Sequence, residues 1–182
     1  MAATHWHTFQ VLTKRSTRLA ELAHDLPWPA NVWMGVSIES AAYTDRAKDL
    51  ASVPAAVRFL SVEPLLGPIP NLPLDGIGWV IVGGESGTQA RPMELHWARQ
   101  IRDQCRNHGV PFFLKQLGGR LGKRGGSQAR LDGRSWRELP SPAPALAIHH
   151  GSPPGNAVAP QGCRPGPGHG PGDGLPRLRD LW

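Results

Sequence analysis

Trp79-Val-Ile-Val-Gly-Gly-Glu-Ser-Gly87 decides how this chain is read. Four apolar residues, three of them β-branched, run straight into two glycines, an acid, a hydroxyl and a third glycine. A short, continuously apolar run bounded by turn residues suits a strand buried on both faces, as in a parallel sheet. Glycines let the chain turn sharply and bring backbone N–H groups close to a ligand. Glu85 and Ser86 are then expected at the strand's carboxyl end, where parallel α/β folds place their chemistry.

Four further strand-like runs lie on either side, and polar groups follow each one. Upstream, Thr8-Phe-Gln-Val-Leu12 leads to Lys14 and Arg15, and Ser16 is placed to cap a short helix carrying Leu19, Leu22 and Ala23. Val32-Trp-Met-Gly-Val36 leads to Ser37 and Glu39, and Ser40 is placed to cap a helix with Tyr43, Ala47 and Leu50 as its apolar stripe. Val57-Arg-Phe-Leu60 leads to Ser61 and Glu63. Pro68, Pro70 and Pro73 follow, which argues against an ordinary crossover helix there.

Downstream, Pro92 suits a helix's first turn, Met93, Trp97, Ile101 and Cys105 repeat every four residues, and Gly109 reads as the helix end. Pro111-Phe-Phe-Leu114 leads to Lys115 and Gln116. Strands alternating with helices across short turns predict right-handed βαβ units. The expected fold class is α/β, a partial (β/α) barrel of about five parallel strands that lacks the first strands of the roughly 250-residue full barrel. The first strand begins close to Met1, so the chain is expected to enter the fold partway through.

The expected barrel domain covers 1–139. Within it, residues 120–137 carry six basic residues against one acid, Asp132, and Asp132-Gly133 signals a small hairpin. From 140 to 182, ten prolines and eight glycines fall without period. Such a tail buries too little apolar surface to offset its ordering entropy and is expected to be disordered.

Composition narrows the setting. The net charge of +6 and pI near 10.1 admit a polyanionic partner. Two distant cysteines, Cys105 and Cys163, form neither a disulfide framework nor a metal set and fit a reducing compartment. No apolar run approaches the about 20 residues of a membrane span, and the N-terminus lacks a secretory layout. A cytoplasmic protein without a membrane partner is expected.

The informative pattern is collective. Lys14 and Arg15, Ser37 and Glu39, Ser61 and Glu63, Gly83 to Ser86, and Lys115 and Gln116 all follow strands, and in a parallel barrel such ends share one face. Cations there can hold carboxylate or phosphate, acids can hold ribose hydroxyls or an amine, and glycine backbone can hold an anion. Loops are polar in any protein, which is the plainer account of the same residues. Lys14, Arg15 and Lys115 are the anion-binding candidates.

Other motifs fail. Gly83-Gly-Glu-Ser-Gly87 lacks the Gly-Lys-Ser/Thr ending of a P-loop, and Glu85 and Gly87 flank Ser86 in the wrong order for a nucleophile elbow. The eight histidines form no metal set. Cys105 shares an apolar helix face and reads as a small buried hydrophobe. The basic stretch 120–137 offers an alternative function as a nucleic-acid-associated protein, although no stacked aromatics interleave with it.

The series Thr8 to Arg15, Val32 to Glu39, Arg58 to Gly67, Trp79 to Gly87 and Pro111 to Gln116, closed by Leu131-Asp-Gly-Arg-Ser-Trp136, resembles a phage- and prophage-associated bacterial family of unknown function. Its members look like radical S-adenosylmethionine (SAM) enzymes, and the resemblance covers residues 6–139. It implies a [4Fe–4S] cluster held by three close cysteines and SAM bound at the barrel mouth. It further implies that Ser37, Glu39, Ser61, Glu63, Gly83, Gly84, Glu85 and Ser86 contact SAM. No cysteine precedes Cys105 here, so the chain is expected to be a C-terminal or split part, without a cluster or radical chemistry of its own. The missing segment, on another chain, is the partner this implies.

Overall fold

A computed structural model describes residue 1, residues 3–119 and residues 125–141 of the chain. Five strands form one parallel sheet: β1 (Phe9–Thr13), β2 (Val32–Ser37), β3 (Val57–Val62), β4 (Trp79–Gly83) and β5 (Phe112–Gln116). Their spatial order is their chain order, β1-β2-β3-β4-β5. The sheet is open, so the five expected parallel strands are present without closure into a barrel. The tail expected to be disordered lies, from residue 142 onward, outside the described residues.

Among the described residues, three α-helices serve the crossovers: α1 (Ser16–Leu22), α2 (Asp45–Ala51) and α3 (Leu95–Asn107). They begin at other residues, or are capped differently, than the sequence suggests. Ser16 is the first helical residue rather than the cap. Its buried hydroxyl donates to Asp49 Oδ2 at 2.7 Å, so it ties α1 to α2. Ser40 precedes a single 3₁₀ turn (Ala41–Tyr43) without capping it through its side chain, and Tyr43 is exposed while Ala47 and Leu50 are buried. Pro92 stands ahead of α3, which buries Ala98, Ile101 and Cys105. The proline-rich stretch between β3 and β4 holds no helix, as expected. Gln104 of α3 fastens it instead, accepting from Leu72 N–H at 2.7 Å and donating to Ile69 O at 2.8 Å.

Side chains alternate across the sheet with period two. One set, including Met34, Val36, Leu60, Val62, Val80, Val82, Phe112 and Leu114, joins Ala47, Leu50, Ile101 and Cys105 of the helices in the main core. The other set forms a separate aromatic cluster on the opposite face: Phe59, Trp79, Ile81 and Phe113, with Trp33 against it. Trp79 lies at its centre, 5.8 to 6.1 Å from three aromatic rings. Such ring pairs contribute about 0.5–1.5 kcal/mol each beyond area burial. Trp79 Nε1 donates to Glu138 O at 2.8 Å.

The two edges differ. Residues 136–138 run beside β5, with Leu114 N–H donating to Trp136 O and Glu138 N–H to Phe112 O. Among the described residues, β1 pairs on its β2 side alone. The hairpin expected at Asp132-Gly133 is present: β6 (Arg130–Leu131) and β7 (Arg134–Ser135) are antiparallel, and both turn residues have positive φ, 55° and 73°. Among the described residues no helix is long and apolar enough to cross a membrane.

Candidate functional site at the carboxyl ends of the strands

The same alternation that builds the aromatic cluster determines which strand-end residues share its face. Trp33, Gly35, Ser37 and Glu39 fall on one parity of β2; Phe59, Ser61 and Glu63 on one parity of β3; Trp79, Ile81 and Gly83 on one parity of β4; Phe113 and Lys115 on one parity of β5. The polar candidates therefore extend the aromatic face toward the strands' carboxyl ends. Ser37 and Ser61 lie inside their strands, register partners of one another and both buried. Lys115 and Gln116 belong to β5 itself rather than following it.

Ion pairs cross the sheet along this line. Glu39, only 9% exposed, is met by Lys14 Nζ and by Arg46 Nη1, the latter at 3.0 Å. Arg46 Nη1 also donates to Ser37 O at 2.7 Å, and its guanidinium lies over the Tyr43 ring at 4.2 Å. Lys115 Nζ reaches Glu63 Oε2 at 3.1 Å, from β5 to the end of β3. Gly83 of the intervening strand makes room for this bridge. A Cβ at Gly83 would stand 2.9 Å from the Glu63 carboxyl carbon, closer than real Cβ contacts come.

Gly84 has a similar reason. Beyond β4, Gly84 N–H donates to Gln116 O at 3.0 Å and Gly119 N–H donates to Glu85 O at 2.8 Å, so the two loops continue the pairing of their strands. A Cβ at Gly84 would lie 2.3 Å from Leu117 O. The close approach that this glycine permits is to the chain's own backbone. Gln116 closes the arrangement, its buried Nε2 donating to Gly84 O at 2.8 Å.

Glu85 turns toward Arg91, which binds it through Nε at 2.8 Å, Nη2 at 2.9 Å and its backbone N–H at 2.9 Å. The side-chain hydrogen bonds from Arg91, then its backbone N–H, hold the Glu85 carboxyl down to about 2, so it is ionised at neutral pH. Ser86 differs from all of these. Among the described residues its buried Oγ has no hydrogen-bond partner. A buried hydroxyl left unpaired is unfavourable, and no described histidine activates this one; His96 is exposed on α3 with its ring edge on Trp97.

Arg46 and Arg91 were not legible as site residues, since each sits beyond the polar run that follows its strand. The faint signal was charge balance: a carboxylate at a strand end beside the core requires a nearby cation. Arg15 is exposed, and among the described residues its guanidinium makes no ion pair or hydrogen bond. Arg120, Lys123 and Arg124 of the basic stretch lie outside the described residues. Of the remainder, Arg134 lies over Trp136 and Arg137 over Phe113, and Asp132 is paired with Arg99 and Arg102.

Cluster ligands are a separate matter. Among the described residues no three His, Cys, Asp or Glu side chains gather closely enough to hold a metal ion. Cys105 is fully buried, and burial, then the charge of Glu138, pushes its thiol up to about 12. A thiol in that state is the opposite of a ready thiolate ligand. The described residues do not fit a [4Fe–4S] cluster. A SAM-type ligand meets a different test, because the Ser86 hydroxyl, unpartnered among the described residues, is a group that a polar ligand can satisfy.

A family model described as "Protein of unknown function (DUF5131)" matches residues 1–140. No curated protein and no solved structure matches the chain.

Proposed function

The chain belongs to that family of unknown function, and from this premise we propose that its strand-end face binds a zwitterionic small molecule of the SAM type. On this reading the chain is part of a phage-associated, radical-SAM-like protein working in the cytoplasm. Any cluster would depend on cysteines other than Cys105. What carries the reading is the buried Ser86 hydroxyl, unpartnered among the described residues, together with a strand-end line of two carboxylates, Glu39 and Glu63, each paired with a lysine, Lys14 and Lys115. Both signs of charge on one face suit a ligand bearing an ammonium and a carboxylate.

The chemistry of these residues is binding and orientation. Glu63 can exchange its contact with Lys115 for a ligand ammonium or ribose hydroxyl, which turns Lys115 toward a ligand carboxylate. Ser86 gains the hydrogen bond it lacks. Calorimetric titration of the full chain with SAM tests this. Saturable binding is expected, weakened about tenfold by Ser86→Ala, the worth of one hydrogen bond to a polar ligand. The same substitution leaves stability unchanged or slightly raised, because it removes a buried polar atom without a partner. Absence of binding heat, or equal affinity in Ser86→Ala, sinks the proposal.

A further inference from the structure

An open cavity of about 630 Å³ lies between the turn after β1 and the start of α2. Lys14, Arg15 and Arg46 line it, together with Tyr43 and Asp49, and none of Glu63, Glu85 or Lys115 does. It thus opens to one side of the strand-end line, sharing with it Lys14 and Arg46, the two cations that meet Glu39. We propose that this cavity binds the phosphate group of a small phosphate ester, held by Arg15 and Arg46 with Lys14 at the rim.

Three observations carry this. The first is the unequal neutralisation of its charges. Asp49 accepts hydrogen bonds from Ser16 and Thr17, and Asp45, which also lines the cavity, is paired with Lys48. Glu39 alone serves both Lys14 and Arg46, and the Arg15 guanidinium has no partner among the described residues. The second is orientation. Arg46 uses Nη1 for Ser37 and Glu39, while Tyr43 beneath it fixes the guanidinium plane. Among the described residues no hydrogen bond engages its Nε or Nη2. That leaves the fork of donors that matches phosphate oxygens. The third is size: the volume falls within the roughly 300–1,000 Å³ of small-molecule pockets, too large for a bare ion. The half-exposed Tyr43 ring offers an apolar wall for the organic part. Burial, then the nearby Arg46 charge, also lowers the Lys14 ammonium below its ordinary value. An anion between those cations relieves this crowding.

SAM carries no phosphate, so the two sites fail or stand separately. The test is calorimetric titration of the full chain with inorganic phosphate and with phenyl phosphate at fixed ionic strength, using chloride as the reference salt. Saturable binding of both is expected, tighter for phenyl phosphate, and about tenfold weaker for each in Arg15→Gln, which removes a charge-assisted hydrogen bond. The urea midpoint of Arg15→Gln without ligand should match the parent, since the side chain supports nothing in the described fold. Equal binding by parent and variant overturns the proposal, as does heat no greater than that of chloride. Binding of a short oligonucleotide without binding of either small phosphate also overturns it.

Discussion

At the scale of the residue, the glycines of the Trp79–Gly87 stretch have roles that their spacing alone did not distinguish. Gly83 leaves room for the Glu63 carboxylate, and Gly84 for the Leu117 carbonyl. The first obstacle is the end of a side chain that can move; the second is backbone flanked by Gln116 and Gly119, which are hydrogen-bonded across to Gly84 and Glu85. Gly84→Ala should therefore destabilise more than Gly83→Ala, which falls near the low end of the about 1–3 kcal/mol typical of overpacking. Urea denaturation of the two variants measures this, and the reverse order would count against the tight pairing of the 84–87 and 116–119 loops. Gly83→Ala carries a second signature. By displacing Glu63 it should break the bridge to Lys115, so adding Lys115→Met to Gly83→Ala should cost less than Lys115→Met alone.

At the scale of the element, the strands were legible because each is a brief apolar run ending in polar residues. A buried parallel strand accounts for that pattern, whereas a helix needs a longer run with a 3.6-residue period. Which residues share a face followed from period two once register was known: Ser37 opposite Ser61, Ser61 opposite Ile81. The cross-sheet bridges were not legible. Nothing in the local sequence of Glu63 points to Lys115, 52 positions away, or in that of Trp79 to the Glu138 carbonyl. Helix starts differ from expectation for a related reason. Ser16 looked like a cap because of its neighbours in sequence, but its partner Asp49 lies in another helix. The edges give a prediction of their own. β5 is covered by residues 136–138, whereas β1 is bare among the described residues and shows Leu12 at 48% exposure. An uncovered apolar edge invites pairing, and a lysine there discourages it. Leu12→Lys should reduce concentration-dependent self-association in sedimentation experiments while shifting the melting midpoint little. An unchanged association profile would mean that the β1 edge is not where copies meet.

At the scale of the whole molecule, a single core joins three helices to one face of the sheet, and Cys105 sits inside it with no exposure. Its raised thiol pKa and its burial act together, so reagent can reach it only when the domain opens. In a Cys163→Ser background, labelling of Cys105 by a thiol reagent should be slow in native buffer and should accelerate with urea in step with global unfolding. Rapid native labelling would show that α3 detaches on its own. The unbroken strand order has a consequence for how the chain is made. Among the described residues each strand of the parallel sheet neighbours the next one in sequence, and none waits for a distant segment to slot between two others. Each pairing spans a single intervening crossover, so the sheet can grow by neighbouring units even though parallel pairing is not local along the chain. As synthesis proceeds from the N-terminus, every newly completed βα unit finds its docking edge already present, so the sheet can be laid down one strand at a time at the pace of translation.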